Sequence, residues 1–222
     1  GGGGAGQGQG GSAANQSGGY PILIDPGCES AMFEFESVIP TVMILVDRSS
    51  SMFDTRYGAY PNRWLPLQEA LIGNAADYFG VVGSLQGSVR FGFAAYTSQK
   101  AAIMAYGPSA CPNVIGADVP IALDNYNAIV GAYMAASTDP ILEGGGNLDY
   151  KGETPTGAAV RVAAGVLDAF TEPGPKYILL VTDGQPDTCE LSDPQCGQDD
   201  TVAAVQQARN LGISTFVVGI EM

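Results

Sequence analysis

Five residues carry oxygen atoms where the chain could do chemistry: Asp47, Ser49 and Ser51 in "TVMILVDRSSSM", Thr154 in "GETPTG", and Asp183 in "KYILLVTDG". Two are carboxylates at the ends of apolar runs, and three are hydroxyls. In D-x-S-x-S, alternate residues of an extended loop point the same way, which groups Asp47, Ser49 and Ser51 and turns Arg48 and Ser50 elsewhere. A set of carboxylate and hydroxyl oxygens, without nitrogen or sulfur, suits Mg²⁺ or Mn²⁺ rather than zinc or copper. The competing reading is that Asp and Ser end strands simply because they are common turn residues. What separates the two is whether the surrounding elements bring the five together.

Those elements alternate. "TVMILVD" (41–47) is a continuous apolar run flanked by turn residues, as expected of a strand buried on both faces. "LPLQEALIGNAADYF" sets Leu67, Leu71, Ala75 and Tyr78 at helical spacing, with Pro66 tolerated near the helix start. "SVRFGFAAYTS" (88–98) predicts a second strand and "AAIMAY" (101–106) a short third, before a Pro/Gly-rich stretch containing Cys111. A helix follows around "NYNAIVGAYMAAS" (125–137), and "TPTGAAVRVAAGVLDAF" (154–170) carries Ala159, Ala163, Val166, Leu167 and Phe170 on one helical face. "KYILLVTD" (176–183) is again an apolar strand ending in aspartate. "DDTVAAVQQARNLG" (199–212) predicts a helix with Asp199 or Asp200 as N-cap and Gly212 as its stop, and "ISTFVVGI" (213–220) the last strand.

Strand–helix alternation with strands apolar throughout predicts an α/β fold, a doubly wound (Rossmann-like), mostly parallel sheet with helices on both faces. In such a sheet ligands sit at the carboxyl ends of the strands, where the strand order switches. If the strands ending in Asp47 and Asp183 are neighbours, the helix start at Thr154 lies beside both, and the five residues converge on one pocket. A sheet ending on "STFVVGIEM" calls for one more covering helix, so the sequence reads as a fragment with its final helix missing.

Composition narrows the chemistry. The 222 residues carry a net charge of −14 and no histidine. No basic stripe exists to displace counterions from phosphates, which argues against nucleic acid and against anionic membrane surfaces. Without histidine a Ser–His–Asp triad, a Cys–His pair and an imidazole-ligated zinc are all excluded. Residues 1–19, "GGGGAGQGQGGSAANQSGG", contain no charge and no large apolar side chain and read as a flexible linker. Residues 20–37 read as an extended lead-in, and 38–222 as the folded domain. No apolar run approaches the ~20 residues of a membrane span.

"DRSSSM", "GETPTGAAV" and "VTDGQPD", in that order on those elements, resemble the von Willebrand factor A domain, a family carrying a metal-ion-dependent adhesion site. The likeness spans about residues 38 to 221. It implies strand order 3-2-1-4-5-6 with one antiparallel edge strand. It also implies that Ser49, Ser51 and Thr154 donate hydroxyls to the metal, and that Asp47 and Asp183 bind it directly or through water. In this family a carboxylate of the binding partner fills the remaining coordination position, which two protein carboxylates leave electrophilic. The resemblance therefore implies a non-enzymatic, adhesion-type protein-binding module outside the cell, tethered by the Gly-rich linker and similar to bacterial surface lipoprotein versions. The rival readings are a structural subunit of a surface assembly and a Mg²⁺-dependent hydrolase with Asp183 or Glu153 as base.

Four cysteines without a CxxC pair suit two disulfides in an oxidising compartment. Cys189 and Cys196 would close a short loop, leaving Cys28 to pair with Cys111. Asp187, Glu190, Asp193, Asp199 and Asp200 surround that loop and admit a Ca²⁺ site, although a solvated acidic loop is the preferred reading. Trp64 is read as a packing anchor, and "GVVGSLQG" (80–87) lacks the spacing of a nucleotide loop. Arg48 would either meet an incoming carboxylate or pair with an acidic neighbour.

Overall fold

The computed structural model describes residues 38–53, 63–74, 78–99, 110–115, 119–137, 153–189 and 194–220. The Gly-rich tract, the lead-in with Cys28, and "AAIMAY" lie outside them.

Five strands form one sheet: β1 (Thr41–Asp47), β2 (Arg90–Gln99), β3 (Ala110–Ile115), β4 (Lys176–Thr182) and β5 (Ile213–Gly219). Their order is β3-β2-β1-β4-β5. β1 pairs in parallel with both β2 and β4, β4 pairs in parallel with β5, and β3 runs antiparallel to β2 at the edge. The predicted α/β sheet with one antiparallel edge strand is therefore present, and the strand order among the described residues runs 3-2-1-4-5. β1 is central because its side chains are apolar on both faces. Met43 and Leu45 enter one core with Tyr96, Ile178 and Leu180, while Ile44 and Val46 enter the other with Phe91, Phe93 and Tyr133. That is the alternation a pleated strand imposes.

Helices α1 (Trp64–Ile72), α2 (Gly80–Leu85) and α3 (Tyr126–Ala135) supply core residues on one face, and α4 (Thr156–Ala169) and α5 (Pro194–Asn210) on the other. Ala159, Ala163 and Ala164 of α4, with Ala204 and Ala208 of α5, are buried small side chains that let these helices approach the sheet and each other closely. Trp64 is the anchor expected of it. It is 1% exposed, its ring centroid lies 5.0 Å from Phe53 and 4.6 Å from Tyr133, and its Nε1–H donates to Ser137 Oγ at 2.9 Å.

Three boundaries differ from the sequence reading. The first helix stops at Ile72 rather than running to Tyr78, because Gly73 turns to φ 77° and a Cβ there would strike the Tyr78 carbonyl. The third strand is "ACPNVI", the stretch read as a Pro/Gly-rich connection; its proline is tolerable because β3 is an edge strand. Finally, α5 begins at Pro194, a residue suited to the first helical position. Asp199 and Asp200 therefore lie inside that helix rather than capping it. Gly212 does stop the chain beyond α5, at φ 78°.

Candidate metal centre

The switch point falls between β1 and β4, since the chain leaves β1 for β2 on one side and reaches β4 on the other. Asp47 ends β1 and Asp183 follows β4 by one residue. Apart from Thr41, the buried polar side chains of the described residues belong to segments at this carboxyl end: Asp47, Arg48, Ser49, Thr97, Ser98, Thr154 and Thr156. A sheet end that concentrates buried polar atoms needs them paired with one another or with a guest.

The local geometry brings four of the five candidate residues into one hydrogen-bonded cluster. The Ser49 amide donates to Asp47 Oδ1 at 2.8 Å, which curls the chain over the end of β1. A single 3₁₀ turn, Ser50–Phe53, follows. Ser49 Oγ lies 2.9 Å from Ser51 Oγ, and the Ser51 hydroxyl donates to Asp183 Oδ1 at 2.8 Å. Across the sheet, the Thr182 hydroxyl donates to Asp47 Oδ2 at 2.6 Å.

Thr154 lies at the mouth of α4, buried, in a segment tied to both flanking strand ends. The Ser98 amide donates to the Glu153 carbonyl at 3.2 Å, and the Asp187 amide to the Thr154 carbonyl at 2.8 Å. Those contacts fix the backbone of Thr154 between the end of β2 and the segment after β4; they involve its carbonyl rather than its hydroxyl. Ser50, between the two serines of the cluster, has a buried hydroxyl without a hydrogen-bond partner among the described residues.

Burial sets the electrostatics. The Asp47 carboxyl is pushed up to about 6, chiefly by desolvation, against hydrogen bonds from Thr182 and Ser49 that favour the charged form. The nearby Asp183 charge adds to the rise. Tyr96, whose position on β2 pairs with Asp47, is buried and its phenol is raised well above the ordinary range by desolvation. Its hydroxyl meets Thr156 Oγ1 at 3.0 Å, which makes it a neutral prop behind the acidic pair.

Sequence reasoning missed Arg63. Its Nη1 donates to the Ser51 carbonyl at 2.8 Å and lies 2.8 Å from Asp183 Oδ2. The second contact is an ion pair by distance only, since Asp183 Oδ2 accepts no directed hydrogen bond among the described residues. Nothing in "PNRW" signals this contact, because it depends on how the 3₁₀ turn delivers α1 to the end of β4. Thr182 and Thr156 were legible in principle, as the second hydroxyls of "VTD" and "TPTG". Arg48 is not presented to an incoming ligand. It is fully buried, and its Nε–H donates to the Ala136 carbonyl at the end of α3 at 2.7 Å, a cation at a helix C-terminus.

The donor set fits a hard divalent ion. It offers two buried carboxylates and hydroxyls, and one carboxylate oxygen, Asp183 Oδ2, lacks a directed hydrogen bond. Asp47, Ser49, Ser51, Thr154 and Asp183 are the residues that could hold such an ion. The acidic segment after β4 is less concentrated than its sequence implies. Asp200 is taken up by Arg161 through two contacts of 3.0 and 2.6 Å, and Asp199 accepts from Gln195 at 3.2 Å. Glu190 and Asp193 lie outside the described residues.

The cysteine pairing differs from expectation. Cys111 is bonded to Cys189 with Cα atoms 5.5 Å apart, and Cys196 is a free, exposed thiol. The antiparallel sense of β3 explains this: Ala110 pairs with Gln99, so the start of β3 lies at the carboxyl end of the sheet, where the segment after β4 also emerges. Cys196, close in sequence, is instead carried into α5. The proposed Cys28–Cys111 bridge is excluded by the same bond. Cys189 thus cross-links the segment carrying Asp183 and Asp187 to the edge strand.

No protein-family model matches the chain. Over 68 residues it is 38% identical to the protein NorD of Stutzerimonas stutzeri, a stretch that is 31% of this chain and 11% of that protein. Among solved structures it is similar to the pilus adhesin SpaC of Lactobacillus rhamnosus GG, with a TM-score of 0.56 and 18% identity, covering 83% of this chain and 25% of that one. It is also similar to the PilB minor pilin of Streptococcus sanguinis, with a TM-score of 0.54 and 13% identity, covering 84% of this chain and 51% of that one. The chain thus spans about a tenth of NorD, a quarter of SpaC and half of PilB. At such identities the likeness to the two solved structures is one of fold, a mostly parallel α/β sheet sheathed by helices.

Proposed function

We propose that this is a von Willebrand factor A-like module that binds a protein partner through a divalent ion, Mg²⁺ or Mn²⁺. In this reading Asp47, Ser49, Ser51, Thr154 and Asp183 hold the ion, and an acidic side chain of the partner completes its shell. The observation that carries the reading is the hydrogen-bonded cluster of Asp47, Ser49, Ser51 and Asp183 at the switch point of the sheet. Bound there, the ion would supply an electrophilic centre, and the chain's own residues would fix its place. Asp47 and Asp183 provide charge, the serines and Thr154 neutral oxygens, and the buried phenol of Tyr96 closes the rear. The fold shared with a pilus adhesin and a minor pilin supports a place in adhesion or surface assembly, with the Gly-rich N-terminal tract as the tether. Those neighbours are an adhesin and a pilin rather than enzymes, and without histidine the cluster offers no evident nucleophile–base pair.

The test is thermal melting in EDTA and in Mg²⁺, followed by capture of surface or matrix proteins in both buffers. Mg²⁺ should raise the melting temperature and Asp47→Ala should abolish the rise. A melting curve indifferent to Mg²⁺ and EDTA would sink the metal reading. Capture that is equal with and without EDTA would sink metal-dependent adhesion.

A further inference from the structure

Arg63 sits where a positive charge is least expected. It is the residue preceding α1, whose N-terminus already presents the positive end of the helix dipole. Its own amide donates to the Met52 carbonyl at 2.9 Å, which fixes it beneath the 3₁₀ turn that carries Ser51. From there the guanidinium reaches two members of the cluster, the Ser51 carbonyl and Asp183 Oδ2, each at 2.8 Å. The Asp183 side chain is 0% exposed and that of Arg63 17%. Two carboxylates in a buried site repel each other, and Arg63 is the cation that these contacts bring to one of them.

The hold is incomplete. The two contacts named use the same nitrogen, Nη1, and Nε is buried without a hydrogen-bond partner among the described residues. A two-pronged carboxylate–guanidinium fork, such as the one between Arg161 and Asp200, would be far harder to open.

We propose that Arg63 is an internal counter-cation of the site: it neutralises Asp183 in the metal-free protein and competes with the divalent ion for that carboxylate. The inference rests on the metal reading above and adds a device that tunes occupancy. A unit charge and a divalent ion a few ångströms apart repel by enough to change affinity about tenfold, even with the screening of bulk water.

Mn²⁺ binding by calorimetry and metal-free melting in EDTA, at one ionic strength, test this on the wild type, Arg63→Gln and Arg63→Lys. Arg63→Gln should bind Mn²⁺ at least about tenfold more tightly and melt at a lower temperature in EDTA. Arg63→Lys keeps the charge on a more mobile, more hydrated head, and should bind a few-fold more tightly than wild type. Equal or weaker binding by Arg63→Gln overturns the proposal, and weaker binding would make Arg63 a support of the site. If Arg63→Gln does not fold, the Lys variant decides, with affinity equal to or below wild type overturning it. If the wild type binds no Mn²⁺ at all, the metal reading fails and this inference with it, whereas tight wild-type binding unaffected by Arg63 sinks the inference alone.

Discussion

Ionising Asp47 in the metal-free protein should cost stability, and Asp47→Asn makes the cost measurable. The carboxyl is raised to about 6 from an ordinary 3.8, with burial the leading cause. Between those values the folded protein keeps a proton that the unfolded chain has released, so stability falls as pH rises. The favourable contribution is whole below about pH 4, drains away up to about pH 6, and is gone above it. A shift of about two units corresponds to roughly 3 kcal/mol, of which about 2 kcal/mol falls between pH 4.5 and 7.5. Asparagine keeps the shape, its carbonyl can still accept from the Ser49 amide, and the Thr182 hydroxyl can turn to accept from its NH₂. Because the variant does not titrate at this position, its difference from wild type removes the contribution of every independent group. Urea denaturation in EDTA across that pH range should show Asp47→Asn gaining about 2 kcal/mol on wild type as pH rises. A difference that stays constant, or shrinks with rising pH, refutes the assignment of burial as the dominant force on Asp47. Replacing EDTA with saturating Mg²⁺ should reverse the ranking at neutral pH, since the variant lacks one of the two charges proposed to hold the ion.

The Cys111–Cys189 bond closes a loop spanning a sequence separation of 78, which in the chain-entropy model stabilises by about 4.5 kcal/mol. Reduction, or replacement of both cysteines by serine, should cost about that much in urea titrations, whereas a Cys189–Cys196 loop would be worth only about 2.5 kcal/mol; a non-reduced peptide map linking Cys189 to Cys196 would refute the pairing. Trp64→Ala should cost about 3–5 kcal/mol, because it empties a fully buried site and strips Ser137 of a donor; near-unchanged denaturation midpoints would contradict the packing. Ser50→Ala removes a buried hydroxyl without a partner, so it should be neutral or stabilising by up to about 1 kcal/mol and leave Mg²⁺ affinity unaltered. Weakened binding in that variant would show that the middle serine has a role the hydrogen bonds do not reveal.

The sheet was legible because its strands are apolar throughout and end in punctuating aspartates. Strand period and turn residues placed Asp47 and Asp183 at strand ends; that the two strands are neighbours was a condition, implied only by the family resemblance, and the β1–β4 pairing meets it. The edge strand was not legible, because "ACPNVI" carries a proline and its strand character comes from pairing with Tyr96 and Thr97 rather than from any local preference. The disulfide failed for a related reason. Nearness in sequence favoured Cys196, but the antiparallel return of β3 brought Cys111 closer in space. Arg63 escaped notice since its contacts cross from the start of α1 to the end of β4, a distance that no spacing rule covers. These three misses are long-range contacts whose partners have no shared local pattern, whereas the helix ends at Gly73 and Pro194 were local signals passed over.

The hydroxyls of the site can be oriented from their partners, and that orientation separates the two serines. Asp183 can only accept, so the Ser51 proton is committed to Asp183 Oδ1. Ser51 has no second proton, so the single Ser49 proton is shared between Ser51 Oγ, 2.9 Å away, and the Asp47 carboxylate, to which the Ser49 hydroxyl also bonds. The Ser51 proton therefore points to Asp183 and the Ser49 proton to Ser51 or Asp47, and either way each hydroxyl keeps a lone pair for accepting. Taking up a cation through those lone pairs would not require reversing either hydroxyl, which leaves the Arg63 contact as the one to be released. The same arrangement makes the serines unequal in the metal-free protein. Ser51→Ala strips a buried carboxylate of its hydrogen bond and Ser49 of one acceptor, at about 1–3 kcal/mol for the charged bond. Ser49→Ala removes a hydroxyl from Asp47 as well as from Ser51, but the Ser49 amide and the Thr182 hydroxyl remain on Asp47, so it should cost no more than about 1 kcal/mol. Both substitutions should weaken Mg²⁺ binding. Urea titrations in EDTA that found Ser49→Ala as costly as Ser51→Ala, or costlier, would break the proposed proton order and with it the claim that the serines are set for a cation in advance.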